Sequence, residues 1–194
     1  MPIFTDNFDY RRFMKTALYY QLEGPKPRFS IFNPNPNIAP LENRANIVDI
    51  VCYCLMPNHF HFLLQQKKDE GITEFISKLS NSYTRYFNTK DNRVGPLFQG
   101  EFKSVYVETT EQLIHLSRYI HLNPLVGNIT KDLETYNWSS YPEYLGKIND
   151  GVCSKNIVLD QFESVETYRQ FVLDYEGYAR ELKMIKHQIL DLKD

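Results

Sequence analysis

The fold is decided by one hydrophobic stretch: residues 47–64 read IVDIVCYCLMPNHFHFLL. Residues 47–56 are mostly β-branched, aromatic or apolar, which predicts a strand. Pro57 and Asn58 interrupt this run and predict a turn. Residues 59–64 predict a second strand, so the stretch supplies two consecutive strands of a sheet.

Helices are predicted on both sides of these strands. Residues 6–23 have apolar side chains at helical spacing, and Asp6 is a suitable N-cap. Residues 71–88 show the same spacing, and residues 103–108 alternate like a third strand. Together with a further helix after residue 108, this order predicts a mostly antiparallel sheet with helices on one face.

The helix after residue 108 has a clear start signal. Thr109 and Gln112 have the spacing of a capping box, in which each side chain bonds to the backbone of the other residue. Pro124 should end this helix near Leu122 or Asn123, because the residue before a proline disfavours helical geometry.

The composition is that of an ordinary globular protein. Of the 194 residues, 42% are hydrophobic and 24% are charged, which argues against disorder. No apolar run approaches the ~20 residues of a membrane-spanning helix, and the first residues lack a signal-peptide pattern. We therefore expect a soluble cytoplasmic protein. Cys52 and Cys54 precede two histidines at a spacing unlike that of common zinc sites, so buried apolar cysteines are the preferred interpretation.

Charge is distributed unevenly along the chain. The net charge of −2 does not by itself indicate a nucleic-acid-binding protein. Residues 76–105, however, carry five bases against two acids, with aromatic residues between them. Bases mixed with aromatics can follow a nucleic-acid backbone and stack on unpaired bases. A solvated helix face followed by core aromatics would give the same pattern, so the charge alone leaves both interpretations open.

Two histidines, His59 and His61, are separated by one residue on the second predicted strand. Alternate side chains of a strand share a face, so both imidazoles should project together, with their Cα atoms roughly 6.5–7 Å apart. At that distance two rings can bind one metal ion. Surface or hydrogen-bonded histidines would show the same spacing.

Tyr119 and Asn123 are four residues apart on the capped helix and therefore stack on one helical face. That face adjoins the apolar stripe of the helix and should point to the edge of the sheet. The pair could be a nucleophile and a metal ligand, or a buried tyrosine and a C-terminal cap. We interpret His115 and His121, on the same helix, as structural.

Four separated motifs together carry a resemblance to a known family. They are MPNHFHFLL at residues 56–64, GPLFQGEFK at 95–103, LSRYIHLNP at 116–124 and WSSY at 138–141. This joint pattern, spread over about residues 5–146, resembles the single-tyrosine HUH transposases. Within that family it is most similar to the branch associated with repetitive extragenic palindromes.

The resemblance implies an enzyme that cuts and rejoins single-stranded DNA through a 5′-phosphotyrosine. Tyr119 would be the nucleophile, and His59, His61 and Asn123 would bind Mg²⁺ or Mn²⁺. The candidates for contacts with single-stranded or hairpin DNA are Arg85, Arg93, Gln99 and Lys103. Family members work as monomers or as homodimers, and both states are possible for this chain.

The chain departs from the family at its start. Family members begin with a strand before the first helix, whereas residues 1–6 already stand at the threshold of that helix. We therefore expect a ferredoxin-like α+β domain over residues 1–146 that lacks its first strand. A C-terminal helical extension should follow over residues 147–194, with its main helix at 164–192.

Two rival functions fit parts of the same pattern. A replication initiator or relaxase would share the two histidines and the tyrosine, although such enzymes usually place these motifs in another order. A domesticated hairpin-DNA-binding protein would keep the fold after its chemistry had been lost.

Overall fold

The computed structural model describes residues 1–24, 27–29, 44–100, 102–149 and 151–174. Its elements are α1 (Asn7–Tyr20), β1 (Val48–Met56), β2 (His59–Gln66), α2 (Gly71–Lys90), α3 (Thr110–Val126), a short 3-10 helix (Leu133–Thr135), α4 (Tyr141–Tyr144), α5 (Asn156–Leu159) and α6 (Val165–Leu173). β1 and β2 form a two-stranded antiparallel sheet packed against helices, so the fold is mixed α+β. Within the described ranges, none of the helices has the length and apolar character needed to cross a membrane.

The two predicted strands and the turn between them are confirmed. β1 begins one residue later than expected, at Val48, and β2 continues beyond residue 64 to Gln66. Every residue of β1 except Asp49 is buried. Such burial along a whole strand explains why its sequence is a nearly continuous apolar run instead of an alternating one.

A segment far along the chain covers the edge of β1 that does not pair with β2. The N–H of Leu55 donates to the carbonyl of Trp138 at 2.8 Å, and the N–H of Ser140 donates to the carbonyl of Tyr53 at 3.0 Å. An antiparallel bridge lies between these two bonds. Residues 138–140 therefore satisfy backbone groups that would otherwise form an open sheet edge.

The third predicted strand is not formed. Residues 102–108 have no regular secondary structure, although their side chains alternate as predicted. Among the described residues, no backbone hydrogen bond joins this segment to β1 or β2, and Tyr106 is 82% exposed. Alternation makes a segment amphipathic, but a strand also needs a neighbouring backbone with which to bond.

α3 continues past the point where Pro124 was expected to end it. The helix runs to Val126, and the N–H of the following Gly127 donates to the carbonyl of Asn123 at 2.8 Å. A proline removes one backbone donor, and in the last turn of a helix this costs one hydrogen bond and not the whole turn. The carbonyl of Pro124 itself accepts from the N–H of Ile129 at 2.8 Å.

The first compact unit is built on α1 and α2 and comprises Met1–Asp49, Pro57–His59 and Leu64–Glu101. In its core, the ring of Phe13 lies edge-on to those of Phe4 and Tyr83, with centroids 5.2 and 5.0 Å away. The Tyr83 hydroxyl donates to the carbonyl of Ile3 at 2.7 Å. Burial raises the pKa of Tyr83, so this buried hydroxyl stays protonated and keeps its bond.

A buried carboxylate ties α1 to α2 within this first unit. Asp6 caps α1 as predicted, since its side chain accepts from the N–H of Asp9 at 2.9 Å. The Asp9 side chain has no exposed surface and accepts from the N–H of Thr5 (2.8 Å), the hydroxyl of Tyr86 (2.8 Å) and Nζ of Lys90 (2.7 Å). Burial acts to raise the pKa of Asp9, but the bonds from Lys90 and Thr5 outweigh it and lower the pKa.

The second compact unit comprises Ile50–Met56, Phe60–Leu63 and the described part of Phe102–Asp194. Its core contains Cys52 and Cys54 of β1, Leu63 of β2, and Ile120 and Leu122 of α3. Both cysteines are unpaired and buried, which confirms their interpretation as apolar core residues. Burial raises the pKa of both thiols. The described residues hold no group of three His, Cys, Asp or Glu side chains that could bind a metal ion.

The prediction of one continuous C-terminal helix over residues 164–192 is wrong, because Asp174, which follows α6, has extended backbone geometry. α6 begins after Ser164, whose hydroxyl accepts from the N–H of Thr167 at 3.1 Å, and it ends at Leu173. The prediction for residues 175–192 lies outside the described ranges. The division of the chain at residue 146 stays a prediction.

Candidate active site

β2 carries the two histidines of the sequence motif. His59 is its first residue, and Nδ1 of this half-buried side chain lies 2.8 Å from Oδ1 of Asn58. A carboxamide oxygen only accepts hydrogen bonds, so in a neutral ring this contact corresponds to the tautomer with the proton on Nδ1 and the lone pair on Nε2. A metal-binding histidine has this tautomer when a neighbouring oxygen orients its other nitrogen.

The candidate nucleophile is carried by α3, whose start is fixed by the predicted capping box. Oγ1 of Thr109 accepts from the N–H of Gln112 at 3.1 Å, and Oε1 of Gln112 accepts from the N–H of Thr109 at 3.2 Å. The same Oε1 also accepts from the N–H of Glu108 at 2.8 Å. These bonds satisfy backbone donors that a helix start leaves unpaired, and they hold the helix that positions Tyr119.

Tyr119 lies against His61. Their ring centroids are 5.8 Å apart and their planes meet at 82°, which is an edge-to-face contact. Both side chains are half-buried, so the packing holds the rings without enclosing them completely. One turn farther along α3, Nδ2 of Asn123 donates to the carbonyl of Tyr119 at 2.9 Å, which leaves Oδ1 as the acceptor of that amide.

Three of the four predicted active-site residues lie in the second unit. They are His61, Tyr119 and Asn123, and the first two are in contact. His59 belongs to the first unit, although it precedes His61 by only two residues on β2. Alternation along a strand places the imidazoles of His59 and His61 on the same face.

His121 has the structural role predicted for it. The side chain is fully buried, with Nδ1 2.7 Å from the hydroxyl of Tyr168 and Nε2 2.8 Å from Oγ of Ser140. Burial lowers its pKa from 6.5 to about 3, so the ring is neutral at physiological pH. His115 is also buried, and its ring packs against Phe171 with centroids 5.4 Å apart.

We expect buried His121 to make the protein less stable at mildly acidic pH. Below pH 6.5 the unfolded chain binds a proton at His121, whereas the folded chain does not until the pH nears 3. Stability is therefore lost as the pH falls through this window, and His121 should account for about 2 kcal/mol between pH 7 and pH 5. Urea unfolding at both pH values measures this loss.

The matched variants for this measurement are His121→Gln and His115→Gln. His121→Gln should have a lower free energy of unfolding than the original protein at pH 7. Its free energy of unfolding should then fall much less between pH 7 and pH 5. The second should keep the dependence of the original protein, because the contacts of His121 are intact. An unchanged pH dependence in His121→Gln would contradict the assignment.

The four candidate DNA contacts are spread over both units. Arg85 and Arg93 line one surface groove along α2 in the first unit. Gln99 is exposed farther along the same unit, and Lys103 is exposed in the second unit. Among the described residues that line this groove, neither Gln99 nor Lys103 occurs.

Sequence reasoning missed several bases in the neighbourhood of Arg85. They line an adjoining groove between α1 and α2, whose basic residues are Arg12, Arg28, Lys78, Arg85 and Lys90. A signal for one of them was available, because Arg12 lies four residues before Thr16 and eight before Tyr20, both of which are buried on α1. A base on the buried side of an amphipathic helix indicates a special environment.

Comparison with known proteins finds one similarity, which covers part of the chain. Residues 40–123 match a family model described as Transposase IS200 like. The matched range contains His59, His61 and Tyr119 and ends at Asn123. Searches of curated proteins and of solved structures found no match.

Proposed function

We propose that this protein, whose residues 40–123 match the IS200-like transposase model, cleaves and rejoins single-stranded DNA through Tyr119. The observation that supports this most directly is the edge-to-face contact between Tyr119 and His61. It joins the tyrosine of the LSRYIHLNP motif to the second histidine of the HFH motif, two residues far apart in sequence. A phenol and an imidazole in contact are the groups that covalent, metal-assisted phosphoryl transfer uses.

The metal ligands that we propose are His59, His61 and Asn123. Nε2 of His59 would bind the metal through its lone pair, and Oδ1 of Asn123 would do the same, because the nitrogen of that amide donates to the carbonyl of Tyr119. Imidazole and oxygen ligands suit Mg²⁺ or Mn²⁺, although this chemistry also permits zinc. When bound, such an ion would polarise the scissile phosphate and orient it for in-line attack.

Tyr119 would act as the nucleophile in a phosphoryl transfer. Its phenolic oxygen attacks the phosphorus, and an O–P bond forms as the bond from phosphorus to the 3′ oxygen breaks. The proton lost by the phenol ends on the departing 3′-hydroxyl, and the 5′ phosphate stays on the tyrosine. A second 3′-hydroxyl then attacks the same phosphorus, releases the phenol and joins the new strand.

We further propose that the substrate is a hairpin or palindromic single strand, as in the branch associated with repetitive extragenic palindromes. The domain would have a ferredoxin-like arrangement and would act in the cytoplasm as a monomer or a homodimer. The side chains proposed to contact DNA are Arg85, Arg93, Gln99 and Lys103.

One alternative has a specific observation in its favour. A hairpin-binding protein without catalytic activity would tolerate the unformed strand at residues 102–108, which leaves the segment before α3 without a sheet partner among the described residues. A replication initiator or relaxase is a further alternative, but the Tyr119, Asn123 and Pro124 spacing on one helix favours the transposase.

The test is a covalent-adduct assay. The protein is incubated with Mg²⁺ or Mn²⁺ and labelled single-stranded oligonucleotides carrying the palindromes that flank its gene, and the products are separated on a denaturing gel. We expect a protein-linked DNA band that EDTA removes, and peptide mapping should place the DNA on Tyr119 among the 14 tyrosines. Tight hairpin binding without any band would instead support the binding protein.

A further inference from the structure

A groove between α1 and α2 in the first unit is strongly basic. It has a volume of about 540 Å³, within the range of ordinary ligand sites. Its basic lining residues are Arg12, Arg28, Lys78, Arg85 and Lys90, and the described residues that line it include no acid. The chain as a whole has a net charge of −2, so this concentration of positive charge is local.

Among the described residues, ion pairs involve two of these five bases. Lys78 pairs with Glu74 at 2.6 Å, and Lys90 pairs with Asp6 and Asp9 at 2.8 and 2.7 Å. The other three are arginines. Within the part of the chain that the structure describes, none of these arginines has a carboxylate within ion-pair distance.

One base of the groove, Arg12, is held in place by packing. Its guanidinium lies 4.3 Å from the centroid of the Phe29 ring and 5.2 Å from that of Tyr86. Nε of Arg12 is buried and has no hydrogen-bond partner among the described residues. Burial lowers the pKa of Arg12, because the desolvated charge is not fully compensated by its described surroundings. An anion in the groove would supply this compensation.

The basic surface extends along α2 beyond this groove. A second groove shares Asn81, Arg85 and Thr89 with the first and continues to Arg93. From Lys78 to Lys90 the helix rises by ~18 Å at ~1.5 Å per residue. This length exceeds the size of a single phosphate group, so the surface suits a chain of phosphates better than a single one.

We propose that the groove between α1 and α2 binds the phosphate backbone of single-stranded DNA. The proposal rests on the proposed function for the identity of the polyanion. The groove should contribute affinity and not sequence preference. Its two aromatic lining residues, Tyr20 and Tyr86, are largely covered by the protein, so stacked bases would not reach their rings.

The test compares two double variants with the same change in net charge. Arg28→Glu/Arg85→Glu reverses two exposed groove residues, and Arg11→Glu/Lys15→Glu reverses two exposed residues of α1 that do not line the groove. Equal thermal midpoints would show that both variants fold. The probe is labelled oligo(dT) longer than the ~4–16 nucleotides that a single-strand-binding domain occupies, titrated at several salt concentrations.

We expect the groove variant to bind oligo(dT) about tenfold or more weakly, with the control close to the original protein. The slope of log K against log salt should fall by about 1.4 for the groove variant, since each lost phosphate contact removes ~0.7. Equal losses in the two variants would overturn the proposal. The proposal would also be overturned if the groove bound inorganic phosphate but the groove substitutions left the affinity for oligo(dT) unchanged.

The adduct assay separates this proposal from the proposed function. If the original protein forms the Tyr119 adduct and the groove variant binds as well as the control, the groove proposal fails while the chemistry stands. If no adduct forms but binding depends on the groove, the chemistry fails while the groove proposal stands.

Discussion

Tyr119→Phe is expected to reduce the protein-linked DNA product by at least about 10³-fold, because it removes the nucleophilic oxygen and nothing else. Phenylalanine keeps the ring that lies 5.8 Å from the His61 ring, so the local packing should survive. Binding of the same oligonucleotide should therefore change little. The measurement is the rate of adduct formation at saturating DNA, alongside a binding titration.

The matched control for this prediction is Tyr106→Phe. Tyr106 is 82% exposed, and the same single oxygen is removed thirteen residues earlier in the chain. Adduct formation by this variant should equal that of the original protein. Unchanged adduct formation in Tyr119→Phe would remove Tyr119 from the chemistry and would direct the search to the other tyrosines.

Asp9→Asn is expected to destabilise the first unit by about 3 kcal/mol, the largest stability effect that we predict for one polar side chain. The carboxylate of Asp9 is fully buried and accepts from Thr5, Tyr86 and Lys90. An amide has one acceptor oxygen and one donor nitrogen, so it would direct hydrogens at groups that already donate. The free energy of unfolding in urea at pH 7 measures the effect.

Asp6→Asn is the matched control, because Asp6 also binds Lys90 but its side chain is 51% exposed. Asparagine caps a helix about as well as aspartate, and an exposed ion pair contributes little, so the loss should be below about 1 kcal/mol. If the free energy of unfolding fell by similar amounts in the two variants, the burial of Asp9 would not be the cause of its contribution to stability.

Much of the fold could be predicted because local sequence determines it. The β1 run is rich in apolar and β-branched residues, which favours a buried strand, and Pro57 and Asn58 favour a turn at its end. The start of α3 is likewise local, since Thr109 and Gln112 cap each other. Local sequence does not predict that His61 and Tyr119 lie together; the joint occurrence of their two motifs, and the family resemblance that it carries, led us to assign them to one site.

The parts that sequence could not predict depend on partners distant in the chain. Residues 102–108 have the alternation of a strand, but whether they pair depends on another backbone. The edge of β1 is instead covered by residues 138–140, whose sequence has no strand signal. The guanidinium of Arg12 acquires its environment only when α1 packs on α2 and brings Tyr86 to it.

The cover that residues 138–140 place on β1 also has a consequence for folding during synthesis. The bonds to Tyr53 join residues 86 and 87 positions apart, so they require closure of a very long loop. At ~5–20 residues per second, a ribosome needs on the order of four to seventeen seconds to make the intervening chain. During that interval the apolar β1 strand has a bare edge, and the nascent protein is at its most prone to intermolecular pairing.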